Sequence, residues 1–115
     1  PTILFDGNGP QIVIGAPGAA YIPQAIAQSI VNVINFGMTM TEAVTAPRIA
    51  ITKNRIVEVS NRIPKYVADE VAAMGYGLIR NHLSYAFAGV HGIKVTGDGW
   101  QGGADPGRDG VALIV

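Results

Sequence analysis

The chain has 115 residues, enough for one domain or part of one. Apolar residues make up 49% of it and charged residues 14%, with eight basic side chains balancing eight acidic ones. A net charge of zero, with the basic residues scattered singly from Arg48 to Arg108, offers no electrostatic footprint for nucleic acid or an anionic membrane. The absence of cysteine excludes disulfides, thiolate catalysis and cysteine-held zinc. No run approaches the ~18 consecutive apolar residues of a membrane-spanning helix, and no signal peptide opens the sequence, which leaves the cellular compartment open. Low charge with so many apolar positions points to a piece whose faces are covered by other protein.

Two apolar strands, Thr2-Ile3-Leu4-Phe5 and Gln11-Ile12-Val13-Ile14, flank the turn-rich segment Asp6-Gly7-Asn8-Gly9-Pro10, a hairpin pattern. Their nearly unbroken apolar character predicts strands covered on both faces. After Gly15-Ala16-Pro17-Gly18-Ala19-Ala20 a helix is predicted from about Pro23 to Asn35, with Pro23 in its first turn and Gly37 past its end. Ile22, Ile26, Ile30, Val33 and Ile34 recur at helical spacing, and Ala25, Ala27 and Val31 widen the stripe, so the helix reads as deeply buried. Thr41 reads as the cap of a short helix around Glu42-Ala43-Val44, which Pro47 ends.

A second hairpin follows, with strands 48–51 and 55–59 around Thr52-Lys53-Asn54. A third helix is predicted from Pro64 to Met74, with Ile63, Val67, Val71 and Met74 on its buried face and Gly75 as its stop. Strand signals return at 78–80 and 89–95, then at Trp100 beyond the turn Thr96-Gly97-Asp98-Gly99, and finally at 111–115. The class is α+β, without internal repeats or low-complexity linkers. With so few helices for its two-faced strands, the segment is expected to pack against another chain or against itself.

Three features invite chemistry. Gly15-Ala16-Pro17-Gly18-Ala19-Ala20 joins a strand to the longest helix, and a Gly-x-Pro-Gly turn there leaves backbone N–H groups free near a helix N-terminus. Such donors stabilise developing negative charge, although the same residues also serve turns that need only backbone geometry. Gly102-Gly103-Ala104-Asp105-Pro106-Gly107-Arg108-Asp109-Gly110 lacks the further acidic ligands of a calcium loop. It reads as a tight turn in which Arg108 pairs with a carboxylate. His82 and His91 stand nine positions apart without a carboxylate at metal-site spacing, and read as packed or surface histidines rather than ligands.

Taken in order, the pieces resemble the C-terminal part of the small subunit of the γ-glutamyltransferase (γ-glutamyltranspeptidase) family, across essentially the whole chain. The resemblance rests on Pro1-Thr2-Ile3, Gly15-Ala16-Pro17-Gly18-Ala19, Asn35-Phe36-Gly37-Met38, Glu42-Ala43-Val44-Thr45-Ala46-Pro47-Arg48, Gly89-Val90-His91-Gly92-Ile93 and Gly102-Gly103-Ala104-Asp105-Pro106. It implies an N-terminal-nucleophile hydrolase, a four-layer αββα sandwich to which residues 1–115 contribute as a single segment. It also implies a self-cleaving precursor whose new N-terminal threonine attacks a γ-glutamyl amide such as that of glutathione. The γ-glutamyl-enzyme then passes to water or to an amine, without a cofactor or metal.

In this sequence the family's Ser-Pro-Gly-Gly turn reads Ala16-Pro17-Gly18-Ala19, so the oxyanion-hole role carries over to the backbone N–H groups of Gly18 and Ala19. That transfer requires that Ala19 not need a positive φ. The nucleophilic threonine, the substrate-binding serine pair and the acidic residue that grips the substrate's amino group all fall upstream of Pro1 in the family pattern. The chain alone is therefore expected to be inactive, with the rest of the precursor as its partner. Ala16 and Ala19 depart from the residues commoner in transferases, which keeps open a related acylase or amidohydrolase, or a non-catalytic relative in which the turn is only structural.

Overall fold

The computed structural model describes residues 1–113. Strands β1 (Thr2–Asp6) and β2 (Gly9–Gly15) form the predicted hairpin, with Ile3 opposite Val13 and a register shift between Leu4 and Phe5. Asp6 Oδ1 accepts the Asn8 N–H at 2.7 Å, and Gly9, at φ +128°, turns the chain where a side chain would be strained. Strand β6 (His91–Thr96) pairs with β2, and β7 (Gly99–Ala104) pairs with β6, completing an antiparallel sheet in the order β1-β2-β6-β7.

One face of this sheet carries the main core. Leu4, Ile12 and Ile14 point toward helices α1 (Ile22–Asn35) and α2 (Met40–Thr45), where Ala25, Val33, Met40, Ala43 and Val44 are buried with them. Glycine at 92 and 103 lets α2 lie close on the sheet. A Cβ on Gly103 would fall 2.6 Å from the Met40 carbonyl carbon, and one on Gly92 2.8 Å from Met40 Sδ. The opposite face carries the row Ile3–Val13–Ile93, each residue 42–50% exposed. The expected two-sided cover is thus half present within the described residues, because strand alternation sends every second apolar side chain outward.

Helix α1 presents Ile22, Ala25, Ile26, Ser29, Ile30 and Val33 to the sheet, while Ala27, Val31 and Ile34 are exposed. The expectation of a deeply buried helix with a widened stripe is corrected to a narrower buried stripe that leaves out Ala27, Val31 and Ile34. Pro23 lies in the first turn, and Gly37, at φ +66°, follows the helix end as predicted. Thr39, not Thr41, caps α2. Its hydroxyl accepts the Glu42 N–H while the Glu42 carboxylate accepts the Thr39 N–H, a reciprocal box that requires a Thr three residues before the Glu. Thr41 instead donates its hydroxyl to the Gly102 carbonyl at 3.1 Å, tying α2 to β7.

A second sheet, in the order β3-β4-β5, contains β3 (Ile49–Ile51) antiparallel to β4 (Ile56–Ser60) and β5 (Gly77–Asn81) parallel to β4. Helix α3 (Lys65–Ala73) makes the crossover, and Val57, Val59 and Ala68 form a small separate core with Ile63, Val71, Tyr76 and Leu78 packed around it. Val67 and Met74 are exposed, against expectation, because the helix turns its Ala68–Val71 seam to the sheet.

The outer edge of β3 is closed by α1. The Gln24 amide accepts the Ile51 N–H at 2.7 Å, and the Gln28 amide bonds both the N–H and the carbonyl of Ile49. Side chains four apart on a helix thereby satisfy backbone groups two apart on a strand. The expected strand at 111–115 is not formed over 111–113, where Val111 and Leu113 are exposed. Its last two residues lie outside the described residues.

Candidate active-site turn

The turn between β2 and α1 is built on glycine and held from below by residues 87–90. Gly18 has φ +147°, a region L side chains rarely adopt, and a Cβ there would meet the Ala88 Cβ at 3.0 Å and Ile22 Cγ1 at 3.4 Å. The Pro17 carbonyl accepts the Gly89 N–H at 3.4 Å. Ala88 itself has φ +62°, unusual for a residue with a side chain, and is 2% exposed. Ala19 has no positive φ, so the condition on the Gly-to-Ala departure is met. Among the described residues, no hydrogen bond engages the N–H of Gly18 or Ala19, whereas the Ala19 carbonyl accepts from Ile22 at 3.1 Å.

Gly18, Ala19, Ala20 and Tyr21 form one wall of a cleft of about 500 Å³, and Tyr85, Ala86, Ala88 and Arg108 form the other. Both residues singled out for the oxyanion role therefore line one concave space beside the start of α1. A second cleft of about 430 Å³ lies on the open face of the first sheet, with Pro1, Gly15, His91, Ala104 and Val111 among its lining. His91 is packed against Gly110, where a Cβ would fall 2.4 Å from its ring, and His82 is exposed. Among the described residues, no three His, Cys, Asp or Glu side chains group to hold a metal ion.

Two polar clusters fix the turn, and neither was legible in the sequence. Tyr21 donates its hydroxyl to Glu58 Oε1 at 2.7 Å, and Asn81 donates to Glu58 Oε2 at 3.1 Å, linking the turn to the second sheet. The hydrogen bond to Glu58, then burial, then the negative charge of Glu58 raise the Tyr21 hydroxyl above its ordinary pKa. Beneath the turn, the Arg48 guanidinium is 6% exposed and pairs with Asp105. It also donates to the Val44 carbonyl at 2.7 Å and to the Ala88 carbonyl at 2.9 Å. The second Asp105 oxygen accepts the Gly107 N–H at 2.8 Å.

The cation expected to pair within the 102–110 turn was Arg108, and that expectation is corrected. The partner of Asp105 comes from position 48, brought in by the chain leaving α2. Arg108 instead donates to the Tyr85 carbonyl at 3.1 Å. A carbonyl in the left-handed region at Ala88 has no simple sequence signal, and Arg48 and Asp105 are 57 residues apart.

The sequence model of the gamma-glutamyltranspeptidase family matches residues 1–115. The glutathione hydrolase proenzyme of Bacillus subtilis (strain 168) is 29% identical over 113 residues, which are 98% of this chain and 19% of that protein. The acylase ACY 1 proenzyme of Pseudomonas sp. (strain SE83) is 35% identical over 103 residues, 89% of this chain and 18% of that protein. Among solved structures, the gamma-glutamyltranspeptidase from Pseudomonas nitroreducens complexed with L-DON superposes with a TM-score of 0.84 at 28% identity, over 100% of this chain and 61% of that one. The chain thus spans about a fifth of the length of the curated relatives it matches.

Proposed function

The chain belongs to the gamma-glutamyltranspeptidase family and has the α+β fold of its N-terminal-nucleophile hydrolase structures, and from that premise we propose that it forms the C-terminal segment of an amide-cleaving enzyme. Within that enzyme Gly18 and Ala19 are the oxyanion hole. The observation that carries this reading is the pair of adjacent N–H groups, unengaged among the described residues, in a turn that faces a cleft and is held by Ala88.

In the proposed reaction, a threonine hydroxyl from another part of the protein attacks the carbonyl carbon of a γ-glutamyl amide. Its proton moves to the terminal amine acting as base. The carbonyl oxygen becomes an oxyanion, and the Gly18 and Ala19 N–H groups donate to it without reorganising, because the turn is already set. The C–N bond breaks as the leaving amine takes the proton, and water or an amine then releases the γ-glutamyl group. One donor of this kind is worth about 10²–10³ in rate. The outward Ile3–Val13–Ile93 row is the proposed contact for the rest of the precursor, which would supply the second sheet of the four-layer sandwich.

The resemblance to the acylase ACY 1 proenzyme, together with Ala19 in the turn, favours a second reading in which the acyl group is not γ-glutamyl. Both readings use the same oxyanion hole and differ in what holds the acyl half. The test is turnover of a γ-glutamyl anilide and of its glutaryl counterpart by the full-length protein after self-processing. Preference for the first supports the transferase reading, and preference for the second the acylase reading. Turnover of neither, by a processed protein, would reject both.

A further inference from the structure

The two walls of the cleft beside Gly18 and Ala19 are joined behind it by a continuous run of hydrogen bonds. Tyr21 belongs to the first wall, and its carbonyl accepts the Ala25 N–H at 2.9 Å, so the start of α1 sets its position. The Tyr21 hydroxyl donates to Glu58 Oε1 at 2.7 Å. Asn81 Nδ2 donates to Glu58 Oε2 at 3.1 Å, while Asn81 Oδ1 accepts the Leu83 N–H at 2.9 Å. The Leu83 carbonyl in turn accepts the N–H of Ala86 at 3.1 Å, and Ala86 lies in the second wall with Tyr85 and Ala88. An ionised carboxylate only accepts, so its two oxygens can take one donor from each wall and hold both. The middle of the run is anchored in the second sheet. Glu58 stands opposite Ile79 and Ser60 opposite Asn81, which puts Glu58 and Asn81 on one face of the paired strands β4 and β5.

We propose that the Glu58 carboxylate clasps the two walls of the cleft, with Tyr21 and Asn81 as the positioning residues through which it sets where the Gly18 and Ala19 N–H groups point. The effect on catalysis rests on the reading of those two groups as the oxyanion hole, whereas the clasp itself rests on the hydrogen bonds alone. A donor moved a fraction of an ångström stabilises the oxyanion less and leaves ground-state binding in place. The clasp therefore acts on kcat rather than KM.

The kinetic test uses the full-length processed protein and whichever of the γ-glutamyl and glutaryl anilides the wild type turns over. Tyr21→Phe keeps the ring and removes the donor, and should lower kcat about tenfold with KM within about twofold. Glu58→Gln leaves one acceptor oxygen where two donors arrive, and Asn81→Asp sets two carboxylates against each other, so each alone should also lower kcat. Glu58→Gln/Asn81→Asp restores the run with its polarity exchanged. The new amide accepts from Tyr21 and donates to the carboxylate placed at 81, whose other oxygen still takes the Leu83 N–H. Recovery of kcat in the double variant supports the clasp, and losses that simply multiply overturn it. A lowered Tm with kcat per folded molecule unchanged in all the single variants also overturns it, because the contacts would then be structural only.

Should the wild type turn over neither anilide, the oxyanion-hole reading fails by itself, and amide hydrogen exchange on the full-length protein, processed or not, still decides the clasp. Asn81→Ala must then speed exchange about tenfold across the cleft in a peptide spanning 18–22, and Tyr21→Phe must do so in one spanning 83–88, with 93–103 unchanged in both. Faster exchange confined to the wall that carries the substitution, a uniform rise, or no change overturns the proposal.

Discussion

Ala88 lies directly under Gly18, its methyl carbon 3.0 Å from where a Cβ on Gly18 would be placed. Both residues have positive φ, so the turn and its support are each set in an uncommon conformation and pressed together. Gly18→Val therefore does two things at once. It strains the backbone by about 1–3 kcal/mol and forces the turn off Ala88. In the full-length protein both kcat and Tm are expected to fall. An unchanged Tm would show that the turn can move away from Ala88 freely.

Substitutions at Ala19 separate the proposed chemical role of the turn from a structural one. The φ of Ala19 is not positive, so Ala19→Gly is expected to keep the donor and most of the activity. Ala19→Pro deletes the N–H and should lower kcat by about 10²–10³, with KM and Tm much less affected. Steady-state kinetics paired with thermal melts check this. Loss of Tm without loss of kcat per folded molecule would mean that the turn is only structural.

The Arg48–Asp105 pair predicts a large stability effect. Removing one partner of a buried pair leaves the other unpaired, so Asp105→Ala should cost about 3–5 kcal/mol in denaturant unfolding. The double variant Arg48→Met/Asp105→Leu should recover little of it. The Val44 and Ala88 carbonyls and the Gly107 N–H would all lose the partners they have now. Recovery to wild-type stability would show that these backbone groups find other partners.

The capping box of α2 predicts a pH-dependent term. Backbone and hydroxyl hydrogen bonds from Thr39 hold the Glu42 carboxyl below its ordinary 4.5. A carboxyl depressed in the folded state adds stability that is present above the unfolded value and lost as pH falls through the folded one. The wild type should therefore melt above Glu42→Gln at neutral pH, and the gap should close on acidification below 4.5. A gap that persists through that range would show that Glu42 supports the cap independently of its charge, and no gap at neutral pH would assign the cap's contribution to the hydroxyl of Thr39 alone.

Val13, at the centre of the outward row, should be intolerant of charge where the rest of the precursor packs. Val13→Lys points away from the core formed with α1 and α2, so the segment's own fold should survive while self-processing of the full-length protein is lost. Normal processing of Val13→Lys would show that this row meets solvent in the assembled protein.

Local chemistry made much of the fold legible from the sequence by itself. Asp6 to Gly9 specified the first hairpin, Pro23 and Gly37 bracketed α1, and Gly75, at φ +89°, marked the end of α3. These signals act within a few residues, where backbone sterics and capping leave little choice. The turn at Gly18 and Ala19 was legible for the same reason. Two candidate caps two residues apart, Thr39 and Thr41, were separable only by which of them stands three before Glu42.

Only the tertiary structure decided which apolar residues are buried, because a strand or helix that is apolar all round does not say which side meets its neighbour. It placed Ile3, Val13 and Ile93 outward and rotated α3 so that Ala68 and Val71, not Val67 and Met74, meet the sheet. It also supplied the supports of the site. Arg48 meets Asp105, Tyr21 meets Glu58 and Ala88 meets Gly18 across separations that no local pattern spans, since such contacts form only after both sheets and α1 have packed. Local sterics wrote the turn into the sequence, and long-range packing determined what holds it and what it faces.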